Sequence, residues 1–284
     1  MVTAKYLAFD LGASSGRAMV GIYDNDELTL EETHRFPNRM VHVSGHFHWD
    51  ILQLFDEMKI GLAKTVQAGH KDIRSIGVDT WGVDFGLLGR NGVLLGNPYA
   101  YRDMGNDVME AAFDLLPREE LYKKTGIQFM PFNTVFQLYR LVQEENPLLD
   151  VAEKLLFTPD LLNYFLTGEM VSEYTIASTS QLLDPWEKSW HKEVFARLSL
   201  PFEIMPEIVP PGTRIGKLRQ SIAQEAGLEP LDVIAPACHD TASAVAAVPY
   251  DGANWAYLSS GTWSLIGVES EQPIINEAAL ANNF

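Results

Sequence analysis

The chain has 284 residues, 46% of them hydrophobic and 21% charged, which is enough apolar material for a sizeable core and more length than one average domain takes. A formal net charge of -17 repels nucleic acid and anionic membrane surfaces, which are held mainly through Lys and Arg, but it does not exclude nucleotide chemistry at a locally neutralised site. The single cysteine, Cys238, rules out an intrachain disulfide and every multi-cysteine metal motif.

The start, MVTAKYLAFD, lacks the basic region and long apolar stretch of a signal peptide, and no apolar run approaches a membrane span, so the expected compartment is the cytoplasm. Tyr6–Asp10, Arg17–Tyr23 and Leu28–Phe36 then alternate as three strands joined by GASSG and by Asp24-Asn25-Asp26, a meander. From Asp50 the period changes. Ile51, Leu54, Phe55, Met58 and Leu62 recur at helical steps. A strand begins at Ile73 and turns at Thr80–Asp84.

Between about Asp103 and Leu198 the pattern predicts several helices, among them Asn133–Glu145, capped by Asn133 and stopped before Pro147. Thr158-Pro159-Asp160 reads as another helix start, with Thr as cap and Pro in the first turn. Pro201–Gly212 reads as a connector, Val233–Ala237 as a short strand and Thr241–Ala247 as the start of a small-residue helix. A second strand–Ser/Gly turn–strand unit runs from Trp255 to Val268. Strands, an inserted helical block and a strand–helix return define an α/β fold with the block as a cap or insert.

Three motif matches fail on context. Gly12–Gly16 fits G-x-S-x-G, but a nucleophile elbow needs a helix after it and RAMVGIYD continues as a strand. GTRIGK, from Gly212 to Lys217, has its glycines one residue too close for a P-loop and Leu218 where Ser or Thr is required. His42, His46 and His48 cluster without a carboxylate pattern, as loop histidines do.

The chemistry-bearing residues gather at strand ends. The small residues of Gly12–Gly16 let backbone N–H groups and hydroxyls approach phosphate oxygens. Asp10 repels phosphate and suits a divalent cation, directly or through water. Trp81, Tyr101 and Trp263 either stack on a sugar ring or fill the core, with Trp81 the better sugar candidate because it sits in a polar turn. Asp79, Asp84, Arg102 and Asp103 cluster as candidates for a polyol pocket. Asp240, after an apolar run and between His239 and Thr241, is either a helix N-cap, a cleft carboxylate or both.

With DLGASSGR, DTWGVDF, AYRD, TGIQFMPFNT, CHDTASA and YLSSGTWSL in this order and spacing, the chain resembles the rhamnulokinase family of the FGGY carbohydrate kinase superfamily. The resemblance implies an actin-like fold of two ribonuclease-H-like domains around a cleft, and ATP-dependent, Mg²⁺-assisted phosphorylation of the 1-hydroxyl of L-rhamnulose. It places Ala13, Ser14, Ser15, Gly16, Arg17 and Thr262 on ATP, and Gly82, His239, Asp240 and Thr241 on the sugar, with Trp81 and Asp84 as further sugar candidates. Asp240 takes the role of catalytic base and Asp10 that of the Mg²⁺-side carboxylate. The expected layout is a sugar-binding domain over residues 1–248, with a helical insert at about 103–212, and the beginning of an ATP-binding domain over 249–284. The remainder of that second domain, with its adenosine-binding residues, is expected to be missing. Three alternatives stay open at this point: a kinase for another ketose or polyol such as L-fuculose or xylulose, an actin- or chaperone-like ATPase, and a non-catalytic sugar-binding remnant.

Overall fold

The computed structural model describes residues 3–250, 252, 255–261 and 263–284. Strands β1 (Ala4–Leu11), β2 (Ser15–Asp24) and β3 (Glu27–Pro37) form the expected antiparallel meander. Asn25 and Asp26 make its second turn at φ 48° and 66°, the left-handed geometry that matches the twist of a two-residue hairpin. Because β2 follows the Gly12–Gly16 turn directly, no nucleophile elbow exists there. A small hairpin, β4 (Met40–Val43) and β5 (His46–Trp49), leads into helix α1 (Ile51–Gln67). Asp50 caps that helix, its Oδ1 accepting the Gln53 N–H at 3.2 Å. Leu54, Met58 and Leu62 are fully buried along one face of α1, each worth roughly 1.5–3 kcal/mol of transfer free energy.

The chain returns to the sheet as β6 (Ile73–Thr80), parallel to β1, and continues after a turn as β7 (Phe85–Gly89). Helices α2 (Asn106–Leu115), α3 (Arg118–Thr125), α4 (Thr134–Gln143) and α5 (Leu148–Val151) then build the inserted block. Asn133 precedes α4 without capping it. Its amide instead donates to the Gln128 carbonyl at 2.8 Å and to Gln181 Oε1 at 2.9 Å.

The block is not purely helical. Strand β8 (Ala152–Phe157) pairs antiparallel with β7, and β9 (Val171–Glu173) pairs parallel with β12 (Glu207–Val209), inside the stretch read as a connector. Between them lie α6 (Thr158–Thr167), α7 (Tyr174–Ser178), the short pair β10 (Leu183–Asp184) and β11 (Ser189–Trp190), and α8 (Lys192–Arg197). Pro159 sits in the first turn of α6 as expected, but Thr158 is itself helical and its hydroxyl donates to the Asp84 carbonyl at 3.2 Å.

Strand β13 (Arg214–Lys217) occupies the segment that mimics a P-loop, and it lies at one edge of the main sheet. Helix α9 (Gln220–Ala226) packs on α1, and β14 (Asp232–Ile234) completes the sheet order β13-β14-β6-β1-β2-β3. β14 ends earlier than its apolar run because Pro236 has no N–H for the ladder. Helix α10 (Asp240–Ala246) follows, then the hairpin β15 (Ala256–Ser260) and β16 (Ser264–Val268), and last α11 (Glu277–Ala281).

Two apolar cores result. One lies between the main sheet, α1, α6 and α9, the other inside the insert around Phe129, Phe136, Phe157 and Phe195. The final residues dock on the insert, where Asn283 exchanges two hydrogen bonds with the Phe129 backbone, at 2.9 and 3.1 Å. Among the described residues, no helix is long and apolar enough to cross a membrane.

Candidate active site

A cleft of about 980 Å³ opens where β1, β6 and the Cys238–Asp240 segment end, between the main sheet, the insert and the β15–β16 hairpin. Strand ends of a parallel pair point their last side chains outward from the sheet, which is why polar residues collect there. The register puts Asp10 beside Asp79 on the parallel pair, and an isolated bridge sets Thr80 beside His239. The Thr80 N–H donates to the Cys238 carbonyl at 2.9 Å, fixing the two segments together.

Of the phosphate turn, Ala13, Ser14 and Arg17 line the cleft, while Ser15 and Gly16 do not. Gly16 is required for packing: a Cβ there would stand 2.4 Å from the Phe36 ring and 2.8 Å from Leu11. Asn38 braces the turn, its N–H donating to the Ser14 carbonyl at 3.0 Å and its amide to the Gly12 carbonyl at 3.0 Å. Its role was not visible in the sequence, because it reaches the turn from the end of β3. Thr262 lies outside the described residues. Its neighbours Gly261 and Ser264 line the cleft.

Asp10 and Arg17 face each other across β1 and β2, and Arg17 donates to Asp10 Oδ2 through Nε at 2.8 Å and through a terminal nitrogen at 2.6 Å. The two residues assigned to metal and to nucleotide are therefore a pair. Among the described residues, no three His, Cys, Asp or Glu side chains gather closely enough to hold a metal ion directly. Three carboxylates nonetheless line this one cleft, Asp10, Asp79 and Asp240. Burial, then the charges of Asp10 and Asp240, push the Asp79 carboxyl well above its ordinary value. An acidic, oxygen-only set of this kind fits a cation that keeps its waters, as Mg²⁺ does.

Gly82 lines the cleft in a loop that leaves no room for a side chain, since a Cβ would approach Thr179 Cγ2 to 3.0 Å. Val83, next in the loop, has φ 70°, a left-handed conformation costly for a β-branched residue. It is held there by its N–H to Thr179 Oγ1 at 3.0 Å and its carbonyl to the Thr134 hydroxyl at 2.6 Å. Trp81 lines the cleft and packs on Trp49, ring centroids 4.3 Å apart.

Asp84 is corrected by the structure. It is 1% exposed and does not line the cleft. Its carboxylate accepts N–H groups from Trp49 at 2.6 Å, Trp81 at 2.9 Å and Tyr101 at 3.2 Å, and from Gln137 at 3.0 Å, so it organises the loop from behind. Asp103 likewise faces away, binding His46 and Arg140. The sequence gives no warning of either, since the partners come from distant segments.

Asp240 is the first residue of α10, with His239 at the cap position. Its Oδ1 accepts the Thr241 N–H at 2.6 Å and the Thr241 hydroxyl at 3.2 Å, and Oδ2 takes no hydrogen bond from any described residue. Burial raises the Asp240 carboxyl above its ordinary value and lowers His239 below its own, which favours a neutral imidazole beside the acid. A helix-borne carboxylate with one oxygen committed and one open can accept a proton from a hydroxyl placed in the cleft. Opposite, Ile127, Met130, Phe132 and Trp263 form an apolar wall, Phe132 and Trp263 with centroids 5.5 Å apart.

Residues 5–247 match the FGGY family of carbohydrate kinases, N-terminal domain. The chain belongs to this family. Curated relatives of this FGGY chain include a rhamnulokinase from Bacteroides thetaiotaomicron, 49% identical over 98% of the chain and 58% of the relative. Another, a rhamnulokinase from Oceanobacillus iheyensis, is 44% identical over 98% of the chain and 59% of the relative. The chain thus spans less than two thirds of the length of either. Among solved structures, a carbohydrate kinase from Novosphingobium aromaticivorans superposes with a TM-score of 0.79 at 24% identity, over 97% of this chain and 58% of that one. Gluconate kinase from Lactobacillus acidophilus gives 0.73 at 18%, over 82% and 47%. The α/β fold is accordingly the actin-like, ribonuclease-H-like fold of FGGY kinases.

Proposed function

We propose that this FGGY chain carries the sugar-binding half and the catalytic base of a kinase that transfers the γ-phosphoryl group of ATP to the 1-hydroxyl of L-rhamnulose. One observation supports this reading above the rest: Asp240 lines the same cleft as Ser14 and Gly82, and its Oδ2 takes no hydrogen bond from any described residue. The chemistry needs such a group, because a primary alcohol is a poor nucleophile at neutral pH. Asp240 accepts the hydroxyl proton as the oxygen bonds to phosphorus, the bond from phosphorus to the β-phosphate oxygen breaks, and ADP departs. Gly82, His239 and Thr241 orient the sugar, with Trp81 beside it. Ala13, Ser14 and the backbone of the turn meet the phosphates, and Arg17 helps to neutralise them. Asp10, with Asp79 beside it, would hold Mg²⁺ directly or through water, and the ion would supply charge neutralisation for the phosphates. The ketose identity is carried over from the rhamnulokinase relatives.

In this reading residues 1–248 form the sugar domain and 249–284 begin the nucleotide domain, and the enzyme works in the cytoplasm on soluble sugar and Mg-ATP. Isothermal titration of the chain with L-rhamnulose, L-fuculose and D-xylulose tests it. Saturable binding is expected for L-rhamnulose in about the micromolar to millimolar range typical of enzyme substrates, with weaker heat from the other two. A well-folded sample that binds none of them, or that prefers another ketose, contradicts it.

A further inference from the structure

The Cys238–Asp240 segment and the Trp81–Val83 loop reach the cleft from the main sheet, yet both are tied to a third segment, 173–179, that belongs to the insert. Glu173 is 1% exposed. Its Oε2 accepts the Cys238 N–H at 2.9 Å and the Ile176 N–H at 3.2 Å, and its Oε1 accepts the Thr175 N–H at 2.8 Å. The Thr175 hydroxyl donates to Glu173 Oε2 at 2.5 Å and accepts the His239 N–H at 3.2 Å. Four residues on, Thr179 Oγ1 accepts the Val83 N–H at 3.0 Å, and its side chain fills the space beside Gly82.

We infer that Glu173 and Thr175 are positioning residues for the Asp240 base. They grip the backbone N–H groups of the two residues immediately before it, and through Thr179 the same segment holds the facing loop. Neither Glu173 nor Thr175 lines the cleft, so their hold on Asp240 acts through the backbone. The clamp is built from one buried carboxyl that accepts three backbone N–H groups and the Thr175 hydroxyl, so it ties the 173–176 turn and Cys238 to a single side chain. Its consequence for rate rests on the kinase reading: a base must stand within hydrogen-bond reach of the proton it takes, and a displacement of about 1 Å costs on the order of 100-fold.

The substitutions that separate positioning from mere stability are Thr175→Val, which keeps the shape and removes the hydroxyl, Thr175→Ser, which restores it, and Glu173→Gln, which turns one acceptor into a donor. In the intact enzyme, amide hydrogen exchange over the peptide 236–241 is read together with sugar-dependent ADP release. Thr175→Val and Glu173→Gln are expected to speed exchange in that peptide and to lower kcat by about tenfold or more, with KM for ATP unchanged. Thr175→Ser is expected to exchange and turn over like the wild type. Wild-type exchange in Thr175→Val, or faster exchange with unaltered kcat, overturns the inference. If the wild type releases no ADP with any ketose, the kinase reading fails, and the Thr175→Val against Thr175→Ser exchange comparison alone decides the clamp.

Discussion

At the scale of single residues, the molecule concentrates its unusual chemistry in a few carboxyl groups whose environments differ. Asp84 has only N–H donors around it, which suit an ionised carboxylate, yet burial outweighs them and raises its pKa to about 6. A carboxyl whose folded value lies above its unfolded value binds more protons in the native state. Its contribution to stability is present below about pH 4 and is lost as pH rises through about 6, on the order of 3 kcal/mol if no other group compensates. Carbon-13 NMR of the Asp84 carboxyl is expected to give a midpoint near 6, whereas a midpoint at or below the ordinary carboxylate value contradicts the assignment of burial as the dominant influence. Asp79 is raised by burial and by two neighbouring negative charges, the pattern of a site that gains when a cation arrives. Asp240 differs from Asp84 in lining the cleft, with Oδ2 taking no hydrogen bond from any described residue.

At the scale of elements, α6 joins the two cores. It packs against β6, β13 and β14 on one side and β7, β8 and β9 on the other. Leu161 is fully buried on this helix and lies so close to β7 that a Cβ on Gly86 would stand 2.7 Å from its Cδ2. Leu161→Ala is expected to cost about 2–5 kcal/mol and to lower the urea midpoint in one cooperative transition shared by tryptophan fluorescence and circular dichroism. A loss under about 1 kcal/mol, or two separated transitions, contradicts a load shared between the cores.

Elements with strong local signals were legible from the residues alone. The β1–β2–β3 meander announces itself by alternation and by turn residues, and α1 by its spacing. Strand β8 was not, because AEKLLF is a short apolar run inside a helix-rich stretch, and its strand state comes from pairing with the distant β7, Phe85 opposite Phe157 and Gly89 opposite Ala152. The site divides the same way. Asp10 at the end of β1 and Asp240 after an apolar run were visible as candidates, while Gly82 entered through the family resemblance. The work of Asp84, Asn38 and Glu173 was not, since each is defined by partners that only the fold brings near.

At the scale of the whole molecule, the acidic surface and the cleft point in opposite directions. A chain of net charge -17 keeps polyanions at a distance. Under the proposed function, Arg17 and the Gly12–Gly16 turn, with a cation beside Asp10 and Asp79, are expected to offset that charge where phosphate binds. The β15–β16 hairpin and the insert face each other through Trp263 and Phe132, so sugar and nucleotide are expected to meet where main sheet, insert and hairpin converge. The account depends most on the open oxygen of Asp240. Its most direct test is sugar-dependent ADP release by the intact enzyme carrying Asp240→Asn, with L-rhamnulose as acceptor. A fall in kcat of about 100- to 10,000-fold, the usual worth of a general base, with unchanged circular dichroism is the predicted result, and near-normal turnover would contradict it.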